Sequence, residues 1–273
     1  MMPPDQWQSL LFVPVGADRH LASAIRHRPD AIILDLEDAV PAAEKNSARA
    51  RLAADQAKIA AEGLACVVRV NAGLADMVKD IAATDLAQVA ALLLPKVENP
   101  RPVVNVAELT GGQVPLIALI ETPAALSRLP EIAALPVMAA LMLGSEDYSA
   151  ALGIDPEGGG LDLPAALVAT AAAGHGLAAI GFPGSIANFR DLELYARNLR
   201  RGRALGLNAV AAIHPAQLPV IRQELSPTAT EIAWAGRVLS ALSPKGGVVA
   251  LDGAMIDAPV LARARRILAR VRW

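Results

Sequence analysis

Charged side chains come directly after short apolar runs in this 273-residue chain. Carboxylate, guanidinium and ammonium groups gathered in one place can bind a metal ion, hold an anionic substrate and move protons. One such charge often only caps a helix or forms a salt bridge, but the repetition favours a polar site. Six runs have polar followers: Asp35-Leu36-Glu37-Asp38, Arg69-Val70-Asn71, Lys96-Val97-Glu98, Glu121-Thr122, Gly144-Ser145-Glu146-Asp147 and His214-Pro215.

Two of these carboxylates suit a divalent cation. Glu121 and Asp147 follow successive apolar runs. Mg²⁺ prefers oxygen ligands and often takes only one or two protein carboxylates. Zinc is disfavoured, because the four histidines show no HxxxH spacing and the lone Cys66 lies inside an apolar run. The sequence therefore predicts a magnesium site at Glu121 and Asp147.

Arg69 is the candidate anion-binding group. Its guanidinium offers forked donors to a carboxylate or a developing enolate oxygen, and it stays protonated. A salt bridge to Glu37 or Asp38 on the neighbouring strand is the structural alternative, and both roles can hold at once. For His214, a structural hydrogen bond is favoured over a role as base.

Eight short apolar runs, separated by segments with helical spacing, must position these groups. Continuous apolar runs are typical of parallel strands that are covered on both faces. A count of eight favours a closed (β/α)8 TIM barrel over an open doubly wound sheet, and a barrel carries its chemistry at the carboxyl ends of its strands. The predicted strands are Ser9–Val13, Ala31–Leu36, Cys66–Val70, Val89–Leu94, Leu116–Ile120, Val137–Leu143, Leu177–Ile180 and Ala209–Ile213.

The chain extends beyond what a barrel needs. We predict a barrel domain over residues 1–225 and a C-terminal helical arm over 226–273, which contains a hairpin-like piece and a last basic helix from Asp257. The arm either packs on a neighbouring subunit or caps its own barrel, and the sequence signals leave both open.

Composition excludes several classes of protein. With 25 Lys and Arg against 27 Asp and Glu, the net charge of −2 argues against a basic nucleic-acid-binding surface. Although 54% of the residues are hydrophobic, no apolar run approaches the ~20 residues of a membrane-spanning helix. The N-terminus does not match a secretory signal, and a single cysteine fits a reducing compartment, so we expect a cytoplasmic protein.

Several motifs together resemble the citrate lyase beta-subunit-like (CitE-like) branch of the HpcH/HpaI aldolase superfamily. The resemblance runs in the family's order from about Ser9 to Asp257. The motifs are Ser-Leu-Leu-Phe-Val-Pro at 9–14, Asp-Leu-Glu-Asp-Ala-Val at 35–40 with Lys45 and Ala48-Arg49, Val-Arg-Val-Asn at 68–71, Pro-Lys-Val-Glu at 95–98, Ile-Glu-Thr at 120–122, Gly-Ser-Glu-Asp-Tyr at 144–148, Ile-His-Pro-Ala-Gln at 213–217 and Met-Ile-Asp at 255–257.

The resemblance implies a Mg²⁺-dependent carbon–carbon lyase or synthase. Its substrate would be a 3-hydroxyacyl-CoA of the malyl, citramalyl or citryl type, and its products an acyl-CoA and a 2-keto acid. In this reading Glu121 and Asp147 match the family's metal ligands.

The resemblance also assigns roles to other residues. Arg69 matches a catalytic, substrate-binding arginine, and Glu37 and Asp38 match acidic substrate-binding positions near the metal-bound water. Asp257 matches a catalytic aspartate that reaches the site of an adjacent subunit, usually in a homotrimer.

Three positions depart from the family pattern. Gln8 stands where members commonly have arginine, Ala165-Ala166 lie where many carry another arginine, and Asn208-Ala209 replace the usual Gly-Lys. Fewer basic groups would weaken coenzyme A binding or select a different substrate.

Two alternatives remain open. One is a 2-keto-acid aldolase acting on free hydroxy keto acids, although that branch carries a histidine near the second strand, where this chain offers only Asp35, Glu37 and Asp38. The other is a non-catalytic subunit of a larger lyase complex.

Overall fold

A computed structural model describes residues 3–241, 249–251 and 254–271 of the chain. Each of the eight predicted apolar runs forms a strand, with small shifts at the ends. The strands are β1 (Ser9–Pro14), β2 (Ala31–Asp35), β3 (Ala65–Arg69), β4 (Ala91–Leu94), β5 (Leu116–Ile120), β6 (Met138–Leu143), β7 (Ala178–Ile180) and β8 (Val210–Ala212).

All eight strands belong to one parallel sheet, in the order β7-β6-β5-β4-β3-β2-β1-β8. Strand β1 pairs with both β2 and β8, so strands from the two ends of the sequence are neighbours. A single bridge from Ile180 at the end of β7 to Ala209 before β8 joins the two sheet edges. The predicted (β/α)8 TIM barrel is confirmed.

Helices follow the strands and pack outside them. They are α1 (Asp18–His27), α2 (Lys45–Ala61), α3 (Leu74–Ala83), α4 (Arg101–Leu109), α5 (Pro123–Ser127), α6 (Leu129–Ala133), α7 (Ser145–Leu152), α8 (Asp162–Gly174), α9 (Leu192–Ala204) and α10 (Gln217–Leu225), with short 3-10 turns at Pro4–Gln6, Ala42–Glu44 and Leu86–Gln88. Among the residues described, no helix combines the length and apolar character needed to cross a membrane.

Alternate strand residues fill the inside of the barrel. On several strands an inward alanine is followed two residues later by a larger aliphatic side chain. Trp7 is fully buried in the same cluster, where the alanines leave room for its ring. The alternating pairs are Ala31 and Ile33, Ala65 and Val67, Ala91 and Leu93, Ala140 and Met142, and Ala178 and Ile180.

The chain divides into two compact units, Met1–Glu224 and Leu225–Trp273. The second unit contains α11 (Ala229–Ser240), the antiparallel hairpin of β9 (Val249–Leu251) and β10 (Ala254–Ile256), and α12 (Ala258–Ala269). Residues 242–248, 252–253 and 272–273, on which parts of the predicted arm fall, lie outside the described residues. A core of its own is formed by Ala235, Val238, Ile256 and Ala264.

Candidate active site

A cavity of about 490 Å³ opens at the carboxyl ends of the barrel strands. Its walls combine apolar side chains with several carboxylates and one guanidinium. The polar side chains are Asp35, Asp38, Arg69, Ser145, Glu121, Glu146 and Asp147, and the apolar ones include Phe12, Leu119, Met142, Phe182, Ile186 and Ile213.

The two-residue period of the strands explains why charged groups enter this cavity. Successive side chains of a strand point to opposite faces, so every second residue faces the barrel interior. The inward series of three strands continue from the core into charged residues: Ala31, Ile33 and Asp35; Ala65, Val67 and Arg69; Ile117, Leu119 and Glu121.

Arg69 is held by a forked pair of hydrogen bonds. Its Nε donates to Asp35 Oδ1 at 2.8 Å and its Nη2 donates to Asp35 Oδ2 at 2.7 Å. Burial alone would lower the pKa of Arg69, but the hydrogen bonds and charge of Asp35 raise it overall, so the guanidinium stays charged. The guanidinium also lies 5.1 Å from the centre of the Phe12 ring.

The third guanidinium nitrogen of Arg69, Nη1, lies near two more carboxylates. Its Nη1 lies 2.9 Å from Glu37 Oε2 and 3.7 Å from Asp38 Oδ2. The salt bridges considered from the sequence therefore form. Burial raises the pKa of Glu37, and the charge of Arg69 acts in the opposite direction.

Glu121 is the buried carboxyl group that lacks a protein partner. Its side chain is only 2% exposed, and neither carboxylate oxygen has a hydrogen-bond partner among the described residues. Burial first, and then the negative charges of Asp147 and Glu37, raise the pKa of Glu121 to about 8, although Arg69 and Lys96 act in the opposite direction. A bound cation would offset both effects, because it would partner the oxygens and reduce the repulsion.

The donor set at Glu121 suits a hard cation. No group of three or more His, Cys, Asp or Glu side chains in the described ranges is arranged to hold a metal ion. Glu121 and Asp147 both line the cavity and provide oxygen atoms, which leaves further coordination positions to substrate and water. This set fits Mg²⁺, which retains several waters and needs few protein ligands.

Gly144 provides the space that Glu121 occupies. A Cβ atom at position 144 would lie 2.6 Å from Glu121 Cγ, which is closer than real contacts allow. Only glycine therefore lets the turn between β6 and α7 pass beside Glu121.

Hydrogen bonds between backbone groups and the side chains of Asp35 and Lys45 hold the loop after β2 in place. Asp35 accepts hydrogen bonds from the backbone N–H groups of Glu37 at 2.8 Å and Ala39 at 3.3 Å. Lys45 Nζ donates to the carbonyl oxygens of Leu36 and Glu37, both at 2.6 Å. This role of Asp35 was not predicted from the sequence, because its place two residues after Ile33 is informative only once the inward face of β2 is known.

The loop after β7 is fixed by a different pair of carboxylates. Glu146 accepts a hydrogen bond from Ser185 Oγ at 2.7 Å, and Glu157 accepts one from the Ser185 backbone N–H at 2.9 Å. This loop carries Ile186 into the cavity wall. Glu146 thus has a structural partner, in contrast to Glu121.

His214 and Cys66 have structural surroundings. The His214 ring stacks on Phe189 with 4.6 Å between ring centres, and its Nδ1 accepts a hydrogen bond from the Ala216 backbone N–H at 3.1 Å. Cys66 is fully buried within β3, and burial raises the pKa of its thiol to about 12.

The structure gathers Glu37, Asp38, Arg69, Glu121 and Asp147 at one end of the barrel. Asp257 belongs to the second compact unit, where its side chain caps α12 by accepting a hydrogen bond from the Val260 backbone N–H at 3.1 Å. The catalytic role of Asp257 stays a prediction.

The chain forms a parallel (β/α)8 barrel with an acidic cavity at the carboxyl ends of its strands, which is where enzymes of this fold carry their active sites. Residues 8–215 match the family model described as HpcH/HpaI aldolase/citrate lyase. The chain therefore belongs to the HpcH/HpaI aldolase/citrate lyase family.

The chain is similar to proteins named as citrate lyase beta-like proteins and to others named as thioesterases. A citrate lyase subunit beta-like protein of Deinococcus radiodurans is 34% identical over 97% of this chain and 98% of its own length. A (3S)-malyl-CoA thioesterase of Cereibacter sphaeroides is 32% identical over 97% of this chain and 94% of its own length. The crystal structure of CitE from Mycobacterium tuberculosis in complex with magnesium, acetoacetate and coenzyme A is similar, with a TM-score of 0.79 and 32% identity over 97% of this chain and 98% of that chain.

Proposed function

We propose that this protein is a Mg²⁺-dependent carbon–carbon lyase or synthase acting on a 3-hydroxyacyl-CoA of the malyl, citramalyl or citryl type. The products of cleavage are an acyl-CoA and a 2-keto acid. The buried, unpartnered Glu121, in one cavity with Asp147 and the oriented Arg69, carries the proposal. The magnesium, acetoacetate and coenzyme A bound by the similar CitE structure support the cofactor and the substrate class.

Glu121 and Asp147 are the residues that would hold the metal. When bound, Mg²⁺ supplies positive charge that lowers the pKa of a substrate hydroxyl and stabilises a keto-acid oxygen. The other residues of the cavity have separate tasks.

Arg69 binds the substrate's negative charge. Because Asp35 fixes the guanidinium plane through two hydrogen bonds, little reorganisation is needed when charge develops during the reaction. Glu37 and Asp38 lie beside Nη1 of Arg69 and act in substrate binding. Apolar walls that include Leu119 and Met142 limit access of water to the enolate.

In cleavage the substrate hydroxyl gives its proton to a water molecule in the cavity, its oxygen becomes the carbonyl oxygen of the 2-keto acid, and the adjacent carbon–carbon bond breaks. The electron pair of that bond passes to the acyl thioester fragment as an enolate, which must then be protonated at carbon. We assign this general acid role to Asp257 of an adjacent subunit in a homotrimer, and the same group acts as base in the synthetic direction. The similarity of Met255-Ile256-Asp257 to the family motif supports this assignment.

Thioester hydrolysis is a second candidate function. The (3S)-malyl-CoA thioesterase relatives favour it, because they match this chain over nearly its whole length. In hydrolysis of the same malyl-CoA, water attacks the thioester carbonyl carbon and the coenzyme A thiol leaves, so the products are malate and free coenzyme A.

Product analysis separates the candidates. The purified full-length protein is incubated with Mg²⁺ and malyl-CoA or citramalyl-CoA, and the products are resolved by chromatography. A lyase releases acetyl-CoA with glyoxylate or pyruvate, whereas free coenzyme A with the intact hydroxy acid identifies a thioesterase.

Two further outcomes would support the alternatives that the sequence left open. Activity only on pyruvate with aldehydes would support the free keto-acid aldolase. No turnover of any substrate by the purified chain would count against an independent enzyme and favour a non-catalytic subunit.

A further inference from the structure

Lys96 has an unusual backbone conformation at the mouth of the barrel. It lies two residues beyond the end of β4 with a φ of 53°, in the left-handed region that favours glycine. The other non-glycine residue with positive φ in the described part of the chain is Arg28, at 47°. Arg28 occupies the left-handed cap at the end of α1, where such a conformation is common.

The strain at Lys96 is not offset by packing. Half of the Lys96 side chain is exposed, and its Nζ forms an ion pair with Glu37 Oε1 at 3.4 Å. An ion pair with an exposed lysine contributes at most about 1 kcal/mol to stability. The left-handed backbone costs a side chain with a Cβ atom about 1–3 kcal/mol. Stability therefore favours glycine at position 96, and the lysine needs another explanation.

The Glu37 carboxylate forms ion pairs with two cations, Arg69 and Lys96. Glu37 Oε2 lies 2.9 Å from Arg69 Nη1, and Glu37 Oε1 lies 3.4 Å from Lys96 Nζ. The Glu37 side chain is 7% exposed, so without a second cation one of its oxygens would be left with little charge compensation. Its neighbours Asp38 and Glu121 add negative charge, which would push Glu37 away from this position.

We propose that Lys96 is a positioning residue that orients the Glu37 carboxylate against Arg69, and that the strained backbone is retained for this purpose. The inference rests on the proposed function for its effect on turnover. Its structural part, the coupling of Lys96 to Glu37, is independent of the reaction.

The test compares Lys96→Gly with Arg28→Gly in the full-length protein. Both variants relieve a left-handed backbone, so each is expected to melt at or up to about 2 °C above the wild-type temperature. Only Lys96→Gly is expected to lose kcat/KM on the active thioester, by about tenfold or more, because a misplaced site group lowers the rate steeply. Lys96→Arg keeps the charge and is expected to recover most of that loss.

Two results would overturn the proposal. One is wild-type kcat/KM in Lys96→Gly. The other is a loss of activity that follows a melting temperature several degrees lower, together with the same loss in Lys96→Arg, since both point to a purely structural role.

A double-mutant cycle with Glu37→Gln tests the coupling directly. In the Glu37→Gln background, Lys96→Gly is expected to cause no further loss of kcat/KM, and the two melting-temperature changes are expected to be non-additive. If the wild type turns over no thioester, the proposed function fails. The melting-temperature cycle then still decides the inference: additivity refutes it and non-additivity supports it.

Discussion

Asp35 shows how one buried carboxylate organises the site. It accepts hydrogen bonds from two backbone N–H groups of the following loop and from two nitrogen atoms of Arg69. Its side chain is only 2% exposed, so the carboxylate itself is shielded from water. The orientation of Arg69 and the path of the loop that carries Glu37 therefore depend on the same residue.

Asp35→Asn tests this dependence. The amide removes the negative charge and places a donor against Arg69, which leaves a buried guanidinium poorly paired. We expect the free energy of unfolding to fall by about 3–5 kcal/mol, measured by urea denaturation.

Asp18→Asn is the matched control for Asp35→Asn. Asp18 also forms two ion pairs, with Arg51 and Lys58, but at the exposed surface. Its unfolding curve is expected to stay close to that of the wild type. Equal losses in the two variants would show that burial of the Asp35 pair is unimportant.

Cys66 offers a probe of the barrel. Burial raises the pKa of its thiol to about 12, so little thiolate forms at pH 8, and the side chain is fully buried. We expect no reaction with a thiol reagent such as DTNB at pH 8 until the protein is unfolded. Rapid labelling of the native protein would contradict the packing of β3.

The roles of single residues were only partly predictable from sequence. Placement after apolar runs predicted that Glu121, Asp147 and Arg69 would lie in one cavity, since strand ends converge in a barrel. Asp35 was not recognised as the residue that holds Arg69, because that requires knowing which strand positions face inward. The left-handed backbone of Lys96 also has no signal in one sequence, because lysine does not mark positive φ.

At the scale of elements, the turn from β6 to α7 sets the space for Glu121. Gly144→Ala would place a Cβ atom 2.6 Å from Glu121 Cγ, so the Glu121 side chain or the turn must move. We expect a loss of about 1–3 kcal/mol in stability and a weaker stabilisation by Mg²⁺, both measured by thermal unfolding.

Gly174→Ala is the control for this substitution. Gly174 ends α8, and a Cβ atom at that position has nothing within 4 Å. It should therefore leave stability and the response to Mg²⁺ unchanged. A wild-type response to Mg²⁺ in Gly144→Ala would argue against Glu121 as a ligand.

The strands were predicted well because they are continuous apolar runs buried on both faces. Their ends were less predictable, since hydrogen bonds outside the pattern decide them. Strand β4 begins at Ala91 rather than Val89, because a 3-10 turn over Leu86–Gln88 comes just before it. Similarly, a hydrogen bond from the Leu194 backbone N–H to the Asp191 side chain sets the start of α9 at Leu192.

At the scale of the whole molecule, the proposed homotrimer makes a prediction that a monomeric site does not. Asp257→Asn removes the acid but keeps a side chain that caps helices well, so α12 should remain intact. Arg69→Lys keeps the charge but loses the forked geometry. Each variant alone is expected to be nearly inactive.

Mixing the two variants tests whether subunits share sites. Random reassembly after mild dissociation should restore roughly a quarter of the wild-type sites, since an intact site combines Arg69 of one chain with Asp257 of another. Mixtures that stay inactive after proven subunit exchange would contradict the shared site. The sequence alone could not decide this point, because subunit contacts leave no fixed pattern in one chain.

The central claim is that Glu121 holds the metal that carbon–carbon cleavage requires. The most direct measurement is the rate of acetyl-CoA release from malyl-CoA as Mg²⁺ is restored to metal-free protein. We compare the wild type with Glu121→Gln and with Glu108→Gln, which changes an exposed carboxylate on α4.

We expect Mg²⁺ to restore activity in the wild type and in Glu108→Gln, while Glu121→Gln stays about a thousandfold slower. Without metal, Glu121→Gln should melt at or above the wild-type temperature, because it removes a carboxyl group whose negative charge is disfavoured by burial and by the charges of Asp147 and Glu37. Wild-type turnover by Glu121→Gln, or full wild-type activity without a divalent cation, would contradict the account.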